Sequence, residues 1–344
     1  DWLLLKRGDT WENQSFNSWA KSGRSAEERI IVSTYGDSKE LATLKVLNGG
    51  GVSMYWSNNL VFSGLDIYFY ARDPKNAGFI SPFYSGIGLK AEGRNILFEG
   101  NRVRYSAILA QGLGLYNITV RRNLILNSYS CNSHSQGMYS HVSNKNGNLL
   151  IEENVFDHNG WNEEMERYDR LFDMGVKDYN KWKNIKDGKF NITVDGVEYA
   201  ISNVDFSSVN SMNDVANVIN NSINSRLPFG RMVNFWLYKN SVFLIKSNNR
   251  TAGGAYNLKA YSDIAGGTDI SNSTWINSAL CWYPDATVFN RNMYLSGGYG
   301  GTITRGNIDA RGASGGIQQR TGGISENNLW IRNPYAVGFG HPQN

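Results

Sequence analysis

Ile96-Leu97-Phe98-Glu99-Gly100-Asn101-Arg102-Val103 and Ile118-Thr119-Val120-Arg121-Arg122-Asn123-Leu124-Ile125 decide how this chain is read. Leu149-Leu150-Ile151-Glu152-Glu153-Asn154-Val155-Phe156 repeats the pattern. Thr302-Ile303-Thr304-Arg305-Gly306-Asn307-Ile308 and Gly323-Ile324-Ser325-Glu326-Asn327-Asn328-Leu329-Trp330 bring it back near the other end. One template fits all five: an apolar residue or Thr, any residue, an apolar residue, Thr or Ser, two polar residues, Asn, any residue, a mostly apolar residue. From Asn101 to Asn123, and from Asn307 to Asn328, the spacing is about 22 residues, a period that signals a solenoid.

Apolar residues alternating on either side of an Asn read as two short strands bent around a corner. Asn tolerates the left-handed backbone that a tight corner needs. Stacked at one position per coil, its amides can also bond those above and below. The chain is therefore predicted to be all-β, a right-handed parallel β-helix with coils about 4.8 Å apart. A β-sandwich of alternating strands would not need Asn at a repeated position.

With 344 residues there is room for two or three domains. The 37 Gly, 19 Tyr, 15 Phe and 10 Trp against 6 Pro suit a turn-rich β protein with an aromatic surface. A net charge of +4 fits contact with an acidic polymer, but with no basic cluster it does not point to nucleic acid. Cys131 and Cys281 alone make no disulfide framework or Cys-rich zinc site. They flank the central region, where a bridge across its neck competes with two buried thiols. No apolar run approaches a membrane span, and no secretory signal opens the chain. A start at Asp1-Trp2 without Met reads as a trimmed or recombinant fragment.

Along the chain, Trp2 to Gly8, then Arg29-Ile30-Ile31-Val32-Ser33-Thr34-Tyr35-Gly36, then Leu44 to Leu47 read as strands and turns. Asn59 to Ile67 is an early version of the template without its Asn. From about Lys177 the vocabulary changes. Phe190 to Tyr199 reads as a hairpin on an Asp195-Gly196 turn. Residues 211–223 have helical apolar spacing behind a Ser211 cap. Strands follow at 234–238, 241–245 and 255–261, and the solenoid resumes at Ala286. The predicted organisation is β-helix over 1–176, a small inserted α+β domain over 177–280 lying between two coils, and closing coils over 281–344.

The order of an LLLKRGD strand at 3–9 and an I-x-x-YG turn resembles the opening coils of pectate-lyase-like β-helix proteins. In the insert, Phe190 to Gly196, Asp205-Phe206-Ser207 and the helix after them resemble a module of tail-associated proteins of contractile bacteriophages. Together these resemble a bacteriophage tailspike depolymerase, an enzyme that cuts host capsule or lipopolysaccharide. The resemblance implies a homotrimer, a bacterial surface polysaccharide as partner and a place on the virion tail beside other tail proteins; no cofactor is expected. A cellular origin would make the chain a secreted polysaccharide lyase, which leaves the insert unexplained. No catalytic residue is carried over, because such enzymes place theirs differently.

From the residues themselves, β-elimination of a uronate polymer needs a cation on the carboxylate, a base for the C5 proton and an acid for the leaving oxygen. Hydrolysis needs two carboxylates about 5–5.5 Å or about 6.5–9.5 Å apart. Both remain open. Ser130 to His141 lengthens its coil, and extended loops on a solenoid often carry binding. Of four His in the chain, His134, His141 and His158 fall within 25 residues there. They and Tyr139 are the acid–base candidates, and Asp157, Glu163 and Glu164 the carboxylates. Trp161, Arg311, Gln318 and Arg320 are candidate substrate contacts, with Asp309 and Gln319 in the same polar cluster. Tyr105, Asn127, His158, Arg311 and Arg332, each four residues after a template Asn, are expected to form a column. His134-x-Gln136 and His141 match no helical metal motif, so no metal is expected. For any one His, a surface side chain bonded to a nearby turn is the competing account. For the whole protein, the competitor is a non-catalytic glycan-binding spike or adhesin.

Overall fold

The computed structural model describes residues 1–47, 50–73, 75–78, 87–112, 114–128, 136–142, 147–160, 170–194, 196–228, 232–238, 242–247, 257–259, 261–272, 274–277, 290–297 and 301–340. They divide into two compact units. One comprises Asp1–Gly78, Tyr84–Asn162 and Ala286–Asn344, and the other is principally Glu163–Asp285.

The first unit is a right-handed parallel β-helix. Its strands fall in rotation onto three sheets of eight strands each. One coil is Arg94–Glu99 on sheet 1, Arg102–Arg104 on sheet 2 and Ala107–Gly112 on sheet 3. The next is Tyr116–Arg121, Leu124–Leu126 and Met138–Val142. All of these pair parallel and in register, Phe98 on Val120, Val103 on Ile125 and Ile108 on Met138. Period-2 alternation sends one side chain of each pair inward. The core is therefore a set of columns. Val32, Phe62, Phe98, Val120 and Ile151 stack inside sheet 1, and Leu44, Ile67, Val103, Ile125 and Phe156 inside sheet 2. All ten are buried.

Between sheets 1 and 2 the template asparagines form a continuous ladder. Asn101 Nδ2 donates to Asn123 Oδ1 (3.1 Å), Asn123 to Asn154 (3.0 Å), Asn154 to Asn307 (3.0 Å) and Asn307 to Asn328 (2.9 Å). Each Oδ1 also accepts the backbone N–H of the Asn one coil earlier, and each Nδ2 also reaches a backbone carbonyl such as Phe98 O (3.0 Å). A corner would otherwise bury unpaired peptide groups, and the amide satisfies both signs at once. The left-handed residue is not the Asn, however. It is the residue before it, Gly100, Arg122, Glu153, Gly306 or Asn327, with φ between 52° and 63°. The Asn is selected by bonding, while its neighbour absorbs the backbone strain.

The insert enters inside a coil, not between two. Val155–Asp157 of sheet 2 lies between Leu124–Leu126 and Ile308–Ala310. The third strand of that same coil, Met293–Gly297, returns only after the second unit and pairs with Met138–Val142. The second unit starts at Glu163 rather than 177, because Arg170–Met174 is an antiparallel partner of Val242–Ser247 and Ile276–Asn277. It contains the antiparallel hairpin Gly188–Val194 with Val197–Val204, and the helix Met212–Asn224 with Ser211 Oγ capping Asp214 N. Val215, Ile219 and Ile223 of that helix join a separate core with Trp182, Phe206 and Phe243.

Candidate functional site

The outer face of sheet 3 gathers more of the candidate chemistry than any other described surface. Met138–Val142 is a strand, so Tyr139 and His141 stand on the sheet and not in a loop. Met138 and Ser140 point inward and are buried, which turns Tyr139 and His141 outward. One coil on, Tyr294 sits opposite Tyr139 and Ser296 opposite His141, and Gln318 follows Tyr294. The Tyr139 and Tyr294 rings lie 5.5 Å apart, and the Tyr139 and His141 rings are stacked at 6.5 Å.

His141 is anchored through Nδ1. Ser296 Oγ donates its only proton to the Ser140 carbonyl (3.1 Å), so it accepts from His141 Nδ1 (3.0 Å). With both serine bonds made, Nδ1 is the donor and, in the neutral ring, Nε2 is the proton acceptor. Beside it, Arg320 Nη1 donates to the Tyr294 hydroxyl (2.9 Å). Arg320 and Arg291 both approach the Tyr294 ring, at 5.8 and 5.4 Å from its centre. Gly340 leaves room for the Arg320 stem, since a Cβ there would stand 2.6 Å from its Cγ. Toward the other end of sheet 3, Tyr55 and Trp56 are exposed, and Lys90 lies over Tyr55.

His158 and Arg311 are elsewhere. With Tyr105, Asn127 and Arg332 they form the expected column at the corner after sheet 2, each with φ between 49° and 57° apart from His158 at 59°. His158 Nδ1 bonds Asn127 Oδ1 (3.1 Å). Arg311 grips Asp157 with two bonds of 2.8 and 2.5 Å, so this carboxylate and this guanidinium are committed to each other. The structure brings Asp157, His158 and Arg311 together, and Tyr139, His141, Gln318 and Arg320 together, as two groups on different sheets.

Asp309 and Gln319 are not surface groups at all. Both are buried, each in an inward column: Asp309 stacks between Phe156 and Trp330, and Gln319 between Leu295 and Phe339. Thr302 and Thr304 are buried in the same coil. Asp309 Oδ1 accepts from Asn292 Nδ2 (2.6 Å) and Asn333 Nδ2 (3.0 Å), while Oδ2 has no partner. Burial pushes its carboxyl up to about 7, the two amide bonds opposing only in part.

His134, Trp161, Glu163 and Glu164 lie outside the described residues, as do Cys131 and Cys281. Among the described residues no cluster of His, Cys, Asp and Glu could hold a metal, and no helix is long and apolar enough to cross a membrane. Arg291, Tyr294 and Ser296 were not singled out by sequence. The signal was there in the echo of Met138-Tyr139-Ser140-His141 in Met293-Tyr294-Leu295-Ser296, but only the pairing register aligns the two.

Residues 174–274 match the family model described as the insert domain of the E217 tail sheath protein gp31. The match lies within the second unit and leaves the β-helix outside it. No curated protein matches the chain.

Proposed function

We propose that the chain is a phage tail-associated depolymerase that cuts a bacterial surface polysaccharide along the outer face of sheet 3. The second unit's likeness to a phage tail sheath insert domain supports the tail setting, and with it the virion tail and other tail proteins as neighbours; a homotrimer is part of the same proposal. The β-helix supports a polymer groove, since its interior is filled by stacked side chains and successive coils offer repeating positions along one face.

The observation that carries the reading is the Ser140–Ser296–His141 relay beside Tyr139, Tyr294 and Arg320. His141 Nε2 would take the C5 proton of a uronate, and a Tyr hydroxyl would return one to the leaving oxygen. This favours elimination over hydrolysis. Of the candidate carboxylates, Asp157 is bound by Arg311, and Glu163 and Glu164 lie outside the described residues. A binding-only spike would need aromatics and amides but no histidine held with Nε2 as acceptor.

Incubation with acidic host capsule should shorten the chains and raise the ultraviolet absorbance of unsaturated uronate ends. New reducing ends without that absorbance would make the enzyme a hydrolase. Intact polymer on a panel of host glycans would make it an adhesin.

A further inference from the structure

Arg291 is 5% exposed, and its Nε has no hydrogen-bond partner. Arg320 is half-buried, and its Nε is likewise buried without a partner. Both approach the same Tyr294 ring. Neither forms an ion pair with any described acidic residue. Other arginines on the outer faces of the β-helix do find carboxylates: Arg121 pairs with Glu99, Arg305 with Glu152, and Arg102 and Arg104 share Asp66. Burial holds the Arg291 guanidinium below its ordinary value; Tyr335 and Tyr294 oppose this, and Arg320 adds a smaller push in the same direction as burial. A guanidinium withdrawn from water beside a like charge, with no described carboxylate to pair it, is costly, and the fold tolerates that where a ligand supplies the missing anion. Tyr294, with Arg291 to one side and Tyr139 across the strand pair, adds a ring against which a sugar can lie.

We propose that Arg291 and Arg320 form an oxyanion subsite beside Tyr294, taking the carboxylate of an acidic sugar in the polysaccharide. Arg320, the more exposed, makes the contact; Arg291, buried against the same ring, raises the positive field. A planar carboxylate suits a guanidinium, which offers parallel N–H groups. The proposal rests on the assignment of sheet 3 as the glycan face, but it needs no cleavage.

The test is equilibrium binding of the full chain to oligosaccharides containing glucuronate, galacturonate or mannuronate, against the same oligomers with the carboxyl reduced to an alcohol. A third arm uses oligomers of neutral sugars bearing sulfate esters in place of carboxylates. Reduction should weaken binding at least tenfold, and added salt should weaken the uronate but not the reduced oligomer. Arg320→Gln should erase the difference, and Arg291→Lys should reduce it. The comparison of ligands on the unaltered chain decides the matter even if Arg291→Lys does not fold. Equal binding of native and reduced oligomers, no binding of any uronate oligomer, or sulfated oligomers bound in place of uronates would overturn the proposal. Binding as expected with no shortening of polymer would sink the depolymerase and leave the subsite standing.

Discussion

Replacing Asp309 by Asn tests whether a buried, unpaired carboxylate sets the pH response of the closing coils. The side chain is fully buried, its Oδ2 is unpartnered, and its carboxyl is pushed from 3.8 to about 7. Below the unfolded value both states are protonated and the site costs nothing extra. As pH rises toward 7 the unfolded chain ionises and the native one does not, so stability falls; above the folded value the loss is complete. A shift of roughly three units at about 1.36 kcal/mol each gives a ceiling of about 4 kcal/mol. Roughly 2–3 kcal/mol of this should develop between pH 5 and pH 8. The Asn variant keeps an oxygen to accept from Asn292 and Asn333 and has no charge to bury. Other carboxylates titrate identically in both proteins, so the difference between them isolates position 309. Denaturant unfolding followed by tryptophan fluorescence suits the measurement, because Trp330 pairs with Asp309. The variant should gain on the parent as pH rises. Parallel stability curves across this range would refute the reasoning and place Asp309 in contact with water.

Asn123→Ala removes five hydrogen bonds and orphans Asn101 N–H and Phe98 O inside the ladder; unfolding should become easier by on the order of 3 kcal/mol or more, as thermal or denaturant melts would show. Phe98→Ala, in the middle of a fully buried column, should cost about 3–5 kcal/mol in the same assay. If sheet 3 is the reactive face, His141→Ala should lower kcat by roughly a hundredfold or more, and Ser296→Ala should lower it less while shifting the pH–rate profile. His158→Gln should leave the rate on polymer unchanged, since His158 sits at the other corner bonded to Asn127.

The template asparagines made the coils legible because a corner must satisfy its peptide groups every turn, and few side chains other than Asn both donate and accept there. The second unit stood out for the complementary reason, the loss of that rhythm. The site was only half legible. Tyr139, His141 and Arg320 could be chosen by type, but Tyr294, Ser296 and Arg291 stand beyond the insert, and nothing local ties them to Tyr139. Asp309 misled for a related reason: next to Arg311 in sequence it reads as surface, whereas strand alternation turns it inward between Phe156 and Trp330. His141 and His158, seventeen residues apart, ended on different sides of the coil, on sheet 3 and at the corner after sheet 2, because strands of sheets 1 and 2 lie between them.

Splitting one coil across the chain has a consequence for biogenesis. Asp157 and Met293 belong to the same turn of the spiral, yet a ribosome working at about 5–20 residues per second delivers them roughly 7–27 seconds apart. For that interval the strand Met138–Val142 waits with its next edge open, a state that invites pairing with a neighbouring nascent chain. Prompt, self-sufficient folding of residues 163–285 would shorten the exposure, so a defect in that cassette should surface as aggregation of the spiral rather than of the cassette itself.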